Sequence, residues 1–393
     1  MNRLGDYRLL QVECQAVIKM RHAMHREPEL SNTEWKTQRR IREALEHFGV
    51  MGAGVFHKTG LYVDIVGHAA GPGRFIALRG DIDALPIQEC RNDLPFMSQI
   101  DGVMHACGHD VHASIAFGTA LAFHRMRTDF SGRLRVFFQP AEEAEPLGGR
   151  SVVEMKLLDG FDAAVGFHVR TDIPAGSYGA RAGAVTNSAD QFELKFEGLM
   201  SHGAKPYEGV DAIAIAGTFI NEVQKVVSRE MPGKDAAVVT IGTISGGEAT
   251  NIICPSVVMT GTIRTSSVER REMLVQRVRE VAEAAAAMHR GRAKFSSHLG
   301  EPPVVNDAAL VERFRRAVVE LAGGDKFVRR PATPGSDDFG FYSSCVPAIY
   351  FWFGSQEPGN ESAVHTPNFA VSDKVLLSTT ELTIGYCRDL LHS

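Results

Sequence analysis

Short apolar strands alternate with helical stretches in the first half of the chain, and this alternation restricts the possible folds more than any other feature. The strand-like runs are rich in β-branched and aromatic residues. They lie at 61–66, 74–78, 134–138 and 163–167. A capping box, Ser31-Asn32-Thr33-Glu34, predicts a helix that ends near Phe48. Strands separated by helices predict βαβ units, and therefore a mostly parallel sheet that is covered by helices on both faces.

The pattern changes near Val185, where an inserted domain is predicted. Residues 191–197 alternate strictly between apolar and polar side chains, as is typical of a half-exposed antiparallel strand. The elements that follow have the β-α-β-β-α-β order of a ferredoxin-like unit, and the α/β pattern returns after Pro303. We therefore predict an α/β domain at 1–185 and 299–393, interrupted by an α+β domain at 186–298. Two domains suit 393 residues, because single domains commonly have ~100–200 residues.

The composition excludes several classes of function. Lys and Arg number 42 against 47 Asp and Glu, a net charge of -5, which provides no basic surface for nucleic acid or for a polybasic membrane anchor. No apolar run approaches the ~20 residues that span a bilayer, and the first residues lack the apolar core of a signal peptide. The six cysteines form no CxxC pair, so we expect reduced thiols and a cytoplasmic protein.

The stretch HACGHDVH at 105–112 carries the densest group of metal-type ligands in the chain. Within it, Gly108 allows the chain to turn between Cys107 and His109, so both side chains can converge on one metal ion. A rival interpretation makes Cys107 a nucleophile with His109 as its base. This interpretation is disfavoured because residues two apart around a glycine rarely form a nucleophile–base pair. Thiol chemistry also has no evident use for the acidic stretches elsewhere in the chain.

Other candidate ligands follow predicted strands, where open α/β sheets bind their ligands. Taken singly, an acidic loop or a lone histidine is at least as often structural, so these residues count only as a set. Adjacent carboxylates point in different directions, which lets one coordinate a metal while the other moves protons. The candidates are Asp81 and Asp83 after the strand at 74–78, Glu142 and Glu143 after the strand at 134–138, His168, and His365 near the C-terminus.

These motifs resemble one enzyme family over nearly the whole chain. The matching segments are RHAMHREPELS, GDIDALP, HACGHDVH, QPAEEA, GFHV, SHGA, GSDDF and VHTPNF. They resemble the hippurate hydrolase, N-acyl-amino-acid amidohydrolase and indole-acetic-acid–amino-acid hydrolase family of dinuclear metallopeptidases. This family is related to aminoacylases and to metal-dependent carboxypeptidases. The occurrence of HACGHDVH and QPAEE in this order is highly specific to it.

The resemblance implies a fold and a metal site. The fold would combine a catalytic domain, whose mixed and mostly parallel sheet is covered by helices, with an inserted ferredoxin-like α+β domain that serves as lid and dimerisation domain. Glu142 would be the general base and acid, and Asp83 would orient a metal ligand. Asp81 and His105 would support the site. Two divalent metal ions per subunit, Mn, Zn, Co or Ni, would be held by Cys107, His109, Glu143, His168 and His365.

The resemblance also assigns residues to the inserted domain. His202 in the SHGA segment is similar to a histidine that stabilises the oxyanion, while Asn251 and Arg264 are similar to groups that bind the substrate's carbonyl and carboxylate. The guanidinium of Arg264 suits a carboxylate because it donates two parallel hydrogen bonds, although an ordinary surface Arg is an equal alternative. Family members pair through this domain. The resemblance therefore implies a homodimer, or a tetramer, in which one subunit's insert reaches the partner's active site.

Two segments depart from the family pattern. Pro206-Tyr207 stands where the family commonly has a second His after Pro, and Asp337 stands where the family usually has Glu. Neither position is a proposed ligand, so both changes bear on the pocket and on substrate preference.

The predicted function is metal-dependent hydrolysis of the amide bond of N-acyl amino acids, either hippurate-like or N-acetylated, with Glu142 as general base. The expected partner is a small-molecule substrate, with no nucleic acid and no membrane. The nearest alternative is a metallo-carboxypeptidase or dipeptidase on the same scaffold, which would share every ligand. Two alternatives of other classes are a non-catalytic metal-binding protein and a thiol hydrolase that uses Cys107. Chelators discriminate the last of these, because a thiol hydrolase would remain active in their presence.

Overall fold

The computed structural model describes residues 8–91, 93–233, 235–359 and 362–392. Within these residues the α-helices are α1 Gln11–Arg26, α2 Trp35–His47, α3 His109–Arg125, α4 Gly148–Glu154, α5 Ala212–Lys225, α6 Val268–Met288, α7 Ala308–Leu321, α8 Gly340–Cys345 and α9 Asp373–Leu391. The strands are β1 Gly54–Phe56, β2 Gly60–Val66, β3 Phe75–Asp81, β4 Arg133–Gln139, β5 Ala163–Pro174, β6 Tyr178–Gly179, β7 Gly183–Ala184, β8 Asp190–Glu197, β9 Ser201–His202, β10 Ala237–Gly246, β11 Ile252–Ile253, β12 Ser256–Thr265, β13 Arg292–Leu299, β14 Val305–Asn306, β15 Phe327–Val328 and β16 Ala348–Gln356.

A mixed sheet with the strand order β1-β2-β4-β3-β5-β16-β6-β15 forms the centre of the larger of two compact units. Strands β4, β3, β5 and β16 pair in parallel, whereas β1, β2 and β6 pair antiparallel with their neighbours β2, β4 and β16. Strand β3 is buried over its last six residues, as is typical of a parallel strand with both faces covered by helices. In β16, every residue from Ala348 to Ser355 is buried. The predicted fold class, a mixed and mostly parallel sheet covered by helices, is confirmed.

Helix α3 forms much of the core of this unit. It packs on β3 and contacts α1 and α9. Its residues are buried from His109 to Phe123, so apolar side chains such as Ile115 and Leu121 surround the helix instead of lining one face. Burying each such side chain contributes roughly 1.5–3 kcal/mol. The packing therefore fixes the first turn of α3 close to the end of β3.

The smaller unit has its own antiparallel sheet, with the strand order β10-β12-β8-β13. Together with α5 and α6, these strands have the chain order β-α-β-β-α-β of a ferredoxin-like unit. Phe192, Leu194 and Phe196 of β8 are buried, and Glu193 between them is exposed. The alternation predicted for this strand is therefore observed, and its apolar face forms a core with α5, where the Phe196 and Phe219 rings lie 5.7 Å apart.

Three segments pack in a different unit from the predicted one. The smaller unit comprises Ala184–Val304 and Thr333–Gly340, so 184–185, 299–304 and 333–340 belong to it and not to the larger domain. Backbone hydrogen bonds explain the difference, because Val185 N donates to Val304 O at 2.9 Å and Thr333 N donates to Val185 O at 2.9 Å. These bonds join segments that are distant in sequence, so local patterns do not predict them.

The helix predicted after the capping box forms, but Ser31 does not cap it. Helix α2 begins at Trp35, has Glu34 at its N-cap position and lacks a side-chain cap bond. Ser31 Oγ donates instead to Asp83 Oδ2 at 2.7 Å. The capping role predicted for Ser31 is therefore wrong, because a carboxylate distant in sequence takes its hydroxyl.

No helix among the described residues is both long enough and apolar enough to cross a membrane. All six cysteines lie in the described part of the chain, and none of them forms a disulfide there.

Candidate metal centre

The candidate ligands of the larger unit gather at one edge of its parallel strands. β3 ends at Asp81 and β4 ends at Gln139, and these two residues are register partners. β5 runs parallel to β3 on the other side and carries His168. Because neighbouring parallel strands end at the same edge, the residues that follow them come together there.

A glycine in the left-handed region turns the chain between Cys107 and His109. Gly108 has a φ of +87° and is the N-cap of α3. A Cβ at this position would lie 3.0 Å from Val169 Cγ1, so a larger residue would meet backbone strain and a close contact together. The turn brings the thiol of Cys107 and the imidazole of His109 to one centre.

Cys107 belongs to two groups of three metal-type ligands. Its Sγ atom lies 3.2 Å from His168 Nε2 and 3.2 Å from His365 Nε2. His365 Nε2 also lies 3.2 Å from Glu143 Oε1. Within each group all donor atoms lie within 4.8 Å of one another, and the groups are Cys107, His109, His168 and Cys107, Glu143, His365. The structure thus brings the five predicted ligands together, with the thiol common to both groups.

Glu142 lies beside these ligands. Its Oε2 atom is 3.9 Å from His109 Nε2, and Glu143 Oε1 is 4.0 Å from the same nitrogen. A carboxylate at this distance can exchange a proton with a molecule that binds at the cluster. Both carboxylates reach the same imidazole, so the assignment of one as base and the other as ligand stays a prediction.

Asp83 fixes the orientation of His109. Its Oδ1 atom lies 3.0 Å from His109 Nδ1, so the imidazole donates its Nδ1 proton to the carboxylate and directs Nε2 toward the ligand cluster. Asp83 Oδ2 accepts hydrogen bonds from Ser31 Oγ at 2.7 Å and from Glu143 N at 3.0 Å. Burial disfavours the charged carboxylate, but these bonds outweigh it and lower the pKa of Asp83.

His112 also supports the site, and sequence reasoning assigned it no role. Its Nδ1 atom lies 2.7 Å from Asp81 Oδ1, and its Nε2 atom accepts a hydrogen bond from Val169 N at 3.1 Å. The ring therefore carries its proton on Nδ1 and joins the end of β3 to the residue after His168. His168 Nδ1 in turn donates to Val169 O at 2.7 Å. The available signal was the i,i+3 spacing from His109, which makes the two side chains neighbours on α3.

Asp81 is buried between Arg79 and His112. Arg79 Nη1 lies 2.5 Å from Asp81 Oδ2. Burial disfavours the charged form, but Arg79 holds the pKa of Asp81 well below its usual range. His105 is also buried, and its ring nitrogens have no hydrogen-bond partner among the described residues. The supporting role of His105 stays a prediction.

The charges of the cluster suit a bound cation. Burial disfavours an imidazolium at His109, but Asp81 and Asp83 outweigh it and raise the pKa of His109 to about 10. Burial, followed by the carboxylates of Glu143 and Glu142, raises the pKa of the Cys107 thiol well above its usual range. In the described part of the chain, His109 Nε2 is buried without a hydrogen-bond partner. A divalent metal ion would supply the missing positive charge, and this donor set suits Zn or another transition metal.

The thiol-hydrolase alternative fits this arrangement less well. Cys107 Sγ contacts His168 and His365, whereas the alternative requires His109 as the base. A nucleophilic cysteine also needs a lowered pKa, and burial with the neighbouring carboxylates raises that of Cys107.

His202 and Asn251 lie side by side on the surface of the smaller unit. β9 pairs with β11, and Gly203 N donates to Asn251 O at 2.7 Å. Ala204 N donates to His202 Nδ1 at 3.1 Å, so the neutral ring carries its proton on Nε2 and can donate it to a ligand. Arg264 lies elsewhere in this unit, in β12, and pairs with Val238 of β10.

Comparisons with known proteins identify the family of this chain. The model of peptidase family M20/M25/M40 matches residues 77–388. The uncharacterized hydrolase y4tI of Sinorhizobium fredii is 64% identical over 390 residues, which cover 99% of this chain and 97% of that protein. The N-acetylcysteine deacetylase of Bacillus subtilis is 38% identical over 361 residues, which cover 92% of this chain and 93% of the deacetylase.

A solved structure shares the fold over the full length. The YXEP protein of Bacillus subtilis, a dinuclear metal-binding peptidase of the M20 family, superposes with a TM-score of 0.84 at 34% identity. The superposition covers 98% of this chain and 99% of that one. The matches confirm the resemblance found in the motifs: the chain is a hydrolase that belongs to peptidase family M20/M25/M40.

Proposed function

We propose that the protein hydrolyses the amide bond of N-acyl amino acids with two divalent metal ions, and releases a carboxylate and a free amino acid. The observation that carries this proposal is the sharing of Cys107 by two groups of three ligands, with Glu142 beside them. The 38% identity with an N-acetylcysteine deacetylase supports an N-acyl amino acid as the substrate.

Each metal ion would be held by three side chains. Cys107, His109 and His168 would hold the first ion, and Cys107, Glu143 and His365 the second. When bound, the pair would polarise the amide carbonyl and lower the pKa of a water molecule toward ~7. Zn, Mn, Co and Ni are all compatible with this mixture of thiolate, imidazole and carboxylate donors.

Glu142 would move the proton. Its Oε2 atom takes a proton from water as the water oxygen attacks the carbonyl carbon. It then delivers that proton to the amide nitrogen as the C–N bond breaks, so the products are a carboxylic acid and a free amine. Asp83 keeps the Nε2 atom of His109 directed at the centre through its bond to Nδ1.

The smaller unit would bind the substrate. The Nε2 proton of His202 would stabilise the oxyanion, the side chain of Asn251 would bind the carbonyl, and the guanidinium of Arg264 would bind the carboxylate. A homodimer or tetramer that pairs through this unit would place these groups at the partner's active site. Exposed apolar residues on β10, Val238 at 45% and Ile244 at 56%, support an interface at this sheet edge.

Release of free amino acid from a substrate panel tests the proposal. The panel contains N-acetyl amino acids, N-benzoyl amino acids and dipeptides, and Glu142→Gln protein loaded with the same metal is the matched control. We expect an N-acyl amino acid to be cleaved fastest, and the better acyl group separates an acetyl from a hippurate-like preference.

Two other outcomes would contradict the proposal. Preferred cleavage of dipeptides would support a dipeptidase or carboxypeptidase on the same scaffold. No cleavage of any substrate by protein that binds metal stoichiometrically would favour a non-catalytic metal-binding protein.

A further inference from the structure

Residues 31–34 hold the loop at 140–147, which carries Glu142 and Glu143. Glu34 Oε1 accepts a hydrogen bond from Ala141 N at 2.9 Å. A second direct bond runs from Asn32 Nδ2 to Ala144 O at 3.4 Å. Asp83 links the two stretches indirectly, because its Oδ2 atom accepts from both Ser31 Oγ at 2.7 Å and Glu143 N at 3.0 Å. One short segment before α2 therefore restrains the loop at successive positions.

Ala141 is the residue whose conformation this segment controls most directly. It has a φ of +50°, in the left-handed region that non-glycine residues seldom adopt, and it is fully buried. Without the Glu34 carboxylate, its N–H would lose this acceptor while buried, which is unfavourable. Ala141 directly precedes Glu142, so its backbone angles set the direction in which Glu142 leaves the chain.

Glu34 lies in surroundings that destabilise a charged side chain, so a purely stabilising role in the fold does not explain it. Its side chain is fully buried, and its second oxygen accepts a hydrogen bond from Thr59 Oγ1 at 2.7 Å. Burial, followed by the charge of Asp83, raises the pKa of Glu34 to about 7. Placing two carboxylates near each other away from water is costly, which favours a functional reason for keeping this one.

We propose that Glu34 is a positioning residue for Glu142: by accepting the Ala141 N–H, it holds the left-handed turn that directs Glu142 toward the ligand cluster. The inference rests on the proposed function, in which Glu142 is the base. Glu143 has an anchor of its own, because its N–H bonds to Asp83. Loss of the Glu34 contact therefore impairs proton transfer and leaves metal binding intact.

Two pairs of variants of the metal-loaded enzyme test this role. Glu34→Met removes the hydrogen-bond acceptor without leaving a buried charge. Glu34→Asp shortens the side chain by one methylene and so moves the carboxylate away from the Ala141 N–H. Glu34→Gln keeps an oxygen for the Ala141 N–H and can donate to Thr59 Oγ1, while Thr59→Val leaves the Glu34–Ala141 bond in place. We expect kcat to fall by about 10²-fold in the first pair, with KM and metal content little changed, and to stay near wild type in the second pair.

Two kinetic results would overturn the inference. An equal loss of kcat in all four variants would show a general structural role for this pocket. Loss of bound metal together with kcat would show that Glu34 acts through Glu143 and not through Glu142.

Hydrogen exchange of the same metal-loaded proteins gives a readout that is independent of turnover. The peptide that spans 140–147 should exchange faster in Glu34→Met and Glu34→Asp, while the strand at 133–139 stays protected and reports on folding. Glu34→Gln and Thr59→Val should match wild type. Unchanged exchange of the loop in Glu34→Met would overturn the inference. If the wild-type enzyme cleaved no N-acyl amino acid, the proposed function would fail, yet the exchange comparison would still decide whether Glu34 holds the loop.

Discussion

Glu142 and Glu143 are adjacent in the chain but differ in their surroundings. Glu143 Oε1 lies 3.2 Å from His365 Nε2, within a ligand group that includes Cys107. Glu142 Oε2 makes a longer approach, 3.9 Å, to His109 Nε2. The shorter contacts of Glu143 suit metal coordination, and the position of Glu142 beside the cluster suits proton transfer to a molecule bound there.

Replacing Glu142 by Gln should therefore lower kcat strongly without removing metal. The amide cannot take up the proton, and both ligand groups stay intact. A loss of about 10²–10⁴-fold in kcat is typical for a general base. Glu143→Gln is the matched control and should lose the ion that it shares with Cys107 and His365. Metal analysis beside kcat checks both variants, and metal loss in Glu142→Gln alone would mean that the two roles are reversed.

His25 should make the stability of the fold depend on pH. It is buried with its two ring nitrogens 2.9 Å from Asp110 and 3.2 Å from Glu89. Burial disfavours the imidazolium, but the two carboxylates outweigh it and raise the pKa of His25 to about 9. The pKa is thus higher in the folded protein than the ~6.5 of an unfolded chain. The stabilisation, roughly 3 kcal/mol, is complete below about pH 6.5 and is lost as the pH rises through about 9.

Unfolding by urea at constant metal concentration checks this prediction. The unfolding midpoint of wild type should fall as the pH is raised from about 6.5 to above 9, and this fall should shrink in His25→Gln. The same pH dependence in both proteins would remove His25 as its cause.

The first turn of helix α3 depends on Gly108. An alanine there should cost roughly 1–2 kcal/mol of stability for the left-handed backbone, and its Cβ would press on Val169 Cγ1 at 3.0 Å. Because this turn aims Cys107 and His109, we also expect weaker metal binding. Gly102→Ala is the control, since Gly102 has a φ of +71° and no heavy atom within 4 Å of an added Cβ. An equal fall of metal affinity in both variants would show that the turn at Gly108 does not position Cys107 and His109.

Local patterns of apolar and polar residues in the sequence predicted many of the helices and strands, but not where each one ends. The strands predicted at 61–66 and 134–138 are observed at Gly60–Val66 and Arg133–Gln139, because both runs are rich in the β-branched and aromatic residues that favour strands. The strand predicted at 163–167 continues to Pro174 through polar residues, because its pairing with β16 extends that far. The capping role of Ser31 failed for a similar reason, since its partner Asp83 is distant in sequence.

The ligand types could be predicted from motifs, but their division into two groups could not. The sharing of Cys107 depends on how β5 and the C-terminal stretch with His365 approach the start of α3. The contacts of Glu34 and His112 depend equally on neighbours far away in the chain. The roles of His202, Asn251 and Arg264 stay predictions, because they concern an assembly of chains.

Mixing two inactive variants tests whether the inserted unit serves its partner's site. Glu142→Gln and His202→Ala should each lose activity, and an equal mixture of the two, dissociated and reassembled, should regain about one quarter of wild-type turnover. The reason is that half of the random dimers are mixed, and one site in each mixed dimer has an intact Glu142 and an intact His202. Metal content of each parent protein is the control. No recovery in dimers shown to be mixed would place His202 in its own chain's site or outside the mechanism.

Metal titration of stripped protein tests whether catalysis depends on two bound metal ions. Zn or Mn is added stepwise, and release of amino acid from the best N-acyl substrate is measured together with the metal bound per chain. We predict no turnover in the stripped protein and full recovery only near two ions per chain, since in the proposed function each group of three ligands would hold one ion. Full activity in stripped protein, abolished by thiol alkylation, would contradict the account and make Cys107 the nucleophile.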